Sequence, residues 1–122
     1  MQIPKTHWQL DFWKNDNGFC PVEDFLNDLR KSKKVEYIRV LKKLDRFRSW
    51  PPEVLRQKKY LEKVKNEEFW ELRVSVGIEV RFFGKFTNSS EFVVFSVIHG
   101  IHKKDERIRK QDLDLIRQRL NK

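Results

Sequence analysis

Cysteine, glycine and proline are scarce in this chain, and each scarcity excludes something. Its one cysteine, Cys20, cannot close an internal disulfide, and with no Cys-Cys or Cys-His spacing there is no zinc signature. Four glycines and four prolines leave no glycine-rich phosphate loop and no flexible linker, and no segment repeats. No apolar run approaches the roughly 20 residues needed to cross a bilayer. The opening MQIPKTHWQL lacks the apolar core of a secretion signal. Acid is also in deficit, with 18 Asp and Glu against 27 Lys and Arg, a net charge of +9. The 122 residues therefore read as one domain, 1–122, soluble and cytoplasmic. Its partner should be anionic, and nucleic acid fits better than a membrane surface because no basic amphipathic helix shows large apolar residues on its open side.

What is present is strand signal and basic charge. Trp8, Leu10 and Phe12 alternate with polar residues from His7 onward, and Asn15-Asp16-Asn17-Gly18 closes that strand. Pro21, followed by Glu23 and Asp24, marks a helix start, and Val22, Phe25, Leu26 and Leu29 give the helix one apolar face up to Arg30–Lys33. Ile38, Leu41, Leu44 and Phe47 suggest the face of a second helix, which Pro51-Pro52 stops. Gln57–Asn66 reads as an irregular basic connector. Trp70, Leu72 and Val74, then Val80 and Phe82, alternate around the turn at Val76-Gly77 and predict a hairpin carrying Arg73 and Arg81. After the turn signal at Thr87–Ser90, Phe92 to Ile98 is apolar on both parities, the mark of a strand in the middle of a sheet. Leu113, Ile116 and Leu120 predict a short final helix, with Asp112 as N-cap and basic residues through Lys122 at its end. The sum is an α+β fold: a mostly antiparallel sheet of about four strands, a helical hairpin on one face, the other face available, and a short C-terminal helix.

Carboxylates for a Mg²⁺ site are not clustered, since Glu71 and Glu79 alternate with arginines and lack a third ligand; no metal or other cofactor is expected. No serine or cysteine has a nucleophile's context. What remains is cationic: Arg73, Arg81, His99, His102, Lys103 and Lys104. RNA can be cleaved by protein groups alone if they activate the 2′-hydroxyl, neutralise the transition state and protonate the leaving 5′-oxygen. Arginine forks suit the phosphate, and His102 or the crowded lysines suit proton transfer. The opposing possibility is ordinary: Arg73 and Arg81 could simply pair across strands with Glu71 or Glu79, and His99 could be a satisfied sheet residue. Fourteen Lys or Arg against four Asp or Glu lie between Arg30 and Lys65. Lys42, Lys43, Lys58 and Lys59, with His99 and Arg107, are the candidate RNA contacts, although Lys42 and Lys43 could equally belong to a solvated helix face.

The segments CPVEDFLNDL, FWELRV, the arginine of IEVRFF and the strand end VIHGIHKK, in this order and spacing, resemble the RelE/HigB-like superfamily of type II toxin-antitoxin toxins, particularly its phage-derived branch. The resemblance implies a RelE-like fold and an mRNA endoribonuclease, often ribosome-associated, held in check by a co-encoded antitoxin of helix-turn-helix type. It implies that Arg73 and Arg81 hold the scissile phosphate and that Lys103 or Lys104 is the basic position after the last strand. Ile101 stands where relatives have an aromatic, and no tyrosine lies near the C-terminus. A non-catalytic basic RNA- or DNA-binding module is the alternative, and a basic surface for an acidic protein partner is a third.

Overall fold

The computed structural model describes residues 8–88, 93–104 and 107–121. His7, Ser89, Ser90, Phe92 and Lys122, which figured in the expected element ends and turn, lie outside the described residues. The elements are β1 (Trp8–Phe12), α1 (Pro21–Ser32), α2 (Lys34–Arg48), α3 (Pro52–Gln57), β2 (Leu61–Lys63), β3 (Trp70–Ser75), β4 (Glu79–Asn88), β5 (Val93–His102) and α4 (Lys110–Leu120). The sheet order is β1-β5-β4-β3-β2; β1 runs parallel to β5 and the other pairings are antiparallel. The fold is therefore α+β with a mostly antiparallel sheet, and β5 lies inside it between β1 and β4, as its apolar sequence requires.

Two elements were not expected. Pro52, read as a stop, occupies the first turn of α3, where a missing N–H costs nothing, while Pro51 is the extended residue before it. α3 ends with Lys59 in the left-handed region at φ 62°, and this turns the chain into β2, the fifth strand, within the stretch read as irregular. The second helix exists, but its buried face differs. Val40, Leu44 and Phe47 are buried with Tyr37 packed beside them, whereas Ile38 and Leu41 remain 42% and 36% exposed. A strict spacing of three drifts around a helix, while the 3-4-3 spacing of Tyr37, Val40, Leu44 and Phe47 holds one stripe. Asp112 is not the N-cap of α4 either; that place is Arg109, and Asp112 sits inside the first turn.

Register decides which side chains share a face. Leu72, Phe82 and Gly100 form one row across β3, β4 and β5, followed by Val74, Val80 and His102; this face meets the helical hairpin. Gly100 is required there, because a Cβ would stand 2.9 Å from Phe25 Cδ2 of α1 and 3.1 Å from the Phe82 ring. The opposite face carries the rows Glu71–Phe83–His99, Arg73–Arg81–Ile101 and Ser75–Glu79–Lys103. It is not wholly available as expected. A bulge at Ile98 turns two consecutive residues, Ile98 and His99, toward α4, where Ile116 closes a second core with Phe69, Phe83 and Ile98. Each fully buried Phe in the two cores contributes roughly 1.5–3 kcal/mol relative to exposure. The bulge also brings strands close: a Cβ on Gly84 would stand 2.3 Å from the Ser96 carbonyl oxygen.

Candidate anion-binding site on the open sheet face

Beyond the reach of α4, the open face holds the arginine row. Arg73 and Arg81 are directly opposite on β3 and β4, an arrangement that like charges alone would disfavour. Carboxylates make it tenable. Glu71 Oε1 accepts from Arg73 Nε at 2.7 Å and lies 3.8 Å from Arg81 Nε. Glu62 of β2, opposite Glu71, accepts from Arg73 Nη2 at 3.1 Å. Glu79 accepts from Arg81 Nη1 at 3.0 Å and from the Ser75 hydroxyl at 2.9 Å. Arginine–carboxylate pairing is thus present, but its hydrogen bonds with Glu71 and Glu79 run along each strand at i, i+2, where cross-strand pairs were expected; across β3 and β4 only the 3.8 Å approach of Arg81 to Glu71 remains. The pairing has consequences for charge: the Glu71 hydrogen bond raises the Arg73 pKa against its partial burial, and Ser75, ahead of Arg81, lowers that of Glu79.

Pairing does not consume both arginines equally. Arg73 is half-buried and lines an open cleft of about 470 Å³ with Glu62, Glu71, Lys103 and Arg107 among others. Arg81 is buried, 8% exposed, and its Nε has no hydrogen-bond partner among the described residues. That leaves a guanidinium donor unmet in the arginine row. Lys103 continues the adjacent row, its backbone N–H donating to the Glu79 carbonyl at 2.7 Å. A broader hollow of about 700 Å³ between α3 and the β2 edge shares Glu62 and Lys63 with the cleft.

The histidines separate. His102 stands across from Val80, on the hairpin face and not in the arginine row; burial first, then the charges of Lys104 and Lys33, depress its pKa. It meets Lys103, Lys104 and Arg107 only around the small hollow at the end of β5. His99 is buried, with Nε2 2.8 Å from Asp112 Oδ1 and Nδ1 facing Arg119 Nη1. Arginine can only donate, so Nδ1 is the acceptor and Nε2 carries the proton given to Asp112. Both ring nitrogens are therefore committed to α4, which leaves His99 no nitrogen for RNA in this arrangement. Lys42 and Lys43 lie on α2, far along the chain from the arginine row and against a groove of their own. Lys58 and Lys59 end α3, where Lys58 Nζ sits 5.7 Å over the Trp50 ring.

Sequence reasoning singled out the arginines but missed their carboxylate holders as site residues. Glu71 and Glu79 were visible as i−2 neighbours; Glu62 was not, because it lies in the unrecognised β2. Glu62, Glu71 and Glu79 are all engaged with guanidinium groups, and among the described residues no three potential ligands gather as a metal group. No helix among them is long and apolar enough to cross a membrane.

A small α+β protein with a mixed sheet, a helical hairpin on one face and a carboxylate-held arginine pair on the other defines a class of compact basic protein. The chain belongs to the phage-derived Gp49-like protein family (DUF891), whose model matches residues 24–121. That span contains every residue of the arginine row and its neighbours, and the membership is consistent with a toxin of a toxin-antitoxin system. No curated protein and no solved structure matches the chain.

Proposed function

We propose that this protein is the toxin of a type II toxin-antitoxin system, of the RelE/HigB-like kind, that cleaves mRNA in the cytoplasm without a metal or other cofactor. The observation that carries the reading is the arginine row: two guanidinium groups opposite one another, beside a lysine on the same open face. Arg73 and Arg81 hold the scissile phosphate and stabilise charge as the 2′-oxygen attacks phosphorus. Glu71, the buried carboxylate between them, is the candidate acceptor of the 2′-hydroxyl proton. Lys103 is the candidate donor to the departing 5′-oxygen, a role that His102 on the other face is less well placed to fill. The O2′–P bond forms, the P–O5′ bond breaks, and the products are a 2′,3′-cyclic phosphate and a 5′-hydroxyl. A co-encoded antitoxin with a helix-turn-helix domain is the expected partner, and the ribosome is the expected place where mRNA is presented.

A specific observation favours one alternative, a non-catalytic RNA- or DNA-binding module: the arginines already have carboxylate partners, and no C-terminal tyrosine joins the site. Purified protein incubated with RNA separates the two. Fragments ending in 2′,3′-cyclic phosphate, with Arg81→Gln lowering the rate by about 10²–10³, support cleavage; that is the usual loss for one donor to a developing charge. Arg73→Gln, at a half-exposed position, serves as a second variant should Arg81→Gln disturb folding. Intact mRNA after incubation with folded wild-type protein, both alone and with translating ribosomes, would sink the cleavage reading.

A further inference from the structure

The cations of this protein fall into two groups that differ in company. Those of the open sheet face live with acids, Arg73 with Glu71 and Glu62 and Arg81 with Glu79 and Glu71, and Arg117 of α4 is likewise paired with Glu67. On α2 the opposite holds. Arg39, Lys42, Lys43 and Arg46 follow one another at i, i+3, i+4 and i+7, so they share one side of the helix. Among the described residues none of the four is ion-paired, since Asp45 is bonded to Arg48. They line a groove of about 290 Å³ whose other wall is Ser75 and Val76, at the β3–β4 turn. Arg39 Nη1 comes within 3.8 Å of where a Cβ on Gly77 would stand, which places the helix charge directly against that turn. Lys43 is further fixed by lying 5.6 Å over the Tyr60 ring.

The groove and the arginine row are joined. Ser75, in the groove wall, donates to Glu79 Oε1, and Arg81 donates to the same oxygen. A single strand leaving the arginine row around the β3–β4 turn would pass from a site whose charges are largely balanced to one whose charges are not. We infer that the α2 groove is a track for the backbone of single-stranded RNA and supplies most of the binding free energy, while the arginine row contributes chemistry and little affinity. The inference rests on the RNA reading above for the identity of its ligand. It explains why a site with self-neutralised arginines could still engage a polyanion. An acidic protein segment is the competing occupant, and the exposed Val35, Ile38 and Leu41 elsewhere on α2 would serve it; a phosphate backbone has no use for them. The link to Glu79 and Arg81 favours RNA.

The test uses a fluorescein-labelled twelve-nucleotide oligouridylate, its anisotropy titrated with the full-length protein between 50 and 250 mM NaCl. Lys42→Gln/Arg46→Gln changes only exposed side chains, and circular dichroism checks the fold. We expect at least tenfold weaker binding at 50 mM and a slope of log K against log salt shallower by about 1.4, two single-strand phosphate contacts at roughly 0.7 each. Arg73→Gln should shift the dissociation constant by less than about threefold, and Ile38→Ser/Leu41→Ser should leave it unchanged. Unaltered binding by Lys42→Gln/Arg46→Gln would overturn the inference, as would a loss caused equally by the serine pair, which would mark the face as a protein-docking surface. Absence of mRNA cleavage with and without translating ribosomes, with this affinity pattern intact, would sink the ribonuclease reading and leave the groove standing. Cleavage with unaltered groove-variant binding would do the reverse.

Discussion

Glu71 Oε1 stands between two guanidinium groups, and His99 between an aspartate and an arginine; both are buried polar residues whose surroundings explain their cost. Burial is the larger influence on His99 and favours its neutral form, with Arg119 pushing the same way and Asp112 opposing. Its folded pKa is therefore below the ordinary 6.5. In the window beneath that value the unfolded chain binds a proton that the native ring resists, so stability is complete above about pH 6.5 and declines as pH falls through the window. Urea unfolding should accordingly show stability falling from pH 7.5 to 5, and His99→Gln should flatten part of that fall. His102, depressed for similar reasons, acts over the same range, so the quantity to read is the difference between wild type and variant. A variant with the wild-type pH profile would show that His99 is not held neutral by α4. That the sheet would deliver a histidine here was legible from VIHGIHKK; that it faces α4 was not, because the bulge at Ile98 changes the parity that alternation assumes.

At the scale of elements, the turn after α3 shows how a basic connector hid a strand. Tyr60 N–H bonds to the Leu55 carbonyl at 2.9 Å and Lys59 N–H to the Arg56 carbonyl at 3.0 Å, the paired bonds of a Schellman ending. Such endings usually signal themselves with glycine, and here the left-handed position is Lys59. No glycine meant no helix end to read, and a three-residue β2 offers too little alternation to be seen alone. An L-residue in this conformation carries a cost of about 1 kcal/mol that glycine avoids. Lys59→Gly should therefore raise the unfolding free energy by up to about 0.5 kcal/mol, after glycine's larger unfolded-state entropy is set against the relief. Thermal or urea unfolding measures it, and a destabilised variant would mean that the lysine side chain contributes more than its backbone costs. By contrast, α1 was legible in full, since Pro21, Glu23, Asp24 and the apolar stripe all agree in the structure. For α2 the pattern revealed a helix but not its orientation, because two apolar stripes compete on it and packing against the sheet selects one.

For the whole molecule, the net charge of +9 is spread unevenly, and the distribution predicts its response to salt. The pairs on the sheet face are short and partly buried, so ionic strength weakens them little. The α2 cations are exposed or half-exposed and unpaired among the described residues, so their mutual repulsion is the part that salt can relieve. Raising NaCl from 20 to 300 mM should therefore increase the melting temperature, the reverse of what a protein stabilised mainly by surface ion pairs would show. Lys42→Glu/Arg46→Glu lowers the net charge from +9 by four, to +5, and removes the repulsion where it is densest. That variant should melt higher than wild type at 20 mM NaCl and gain less from added salt. Equal salt responses in the two proteins would locate the repulsion elsewhere, on the β2–β3 segment or after β5. The excess of base between Arg30 and Lys65 was plain in the sequence, but its division was not. Strand register gives the sheet arginines their carboxylates, while helical periodicity gathers the α2 cations on one side. Only the fold separates a charge-balanced site from a surface left free to attract an anion.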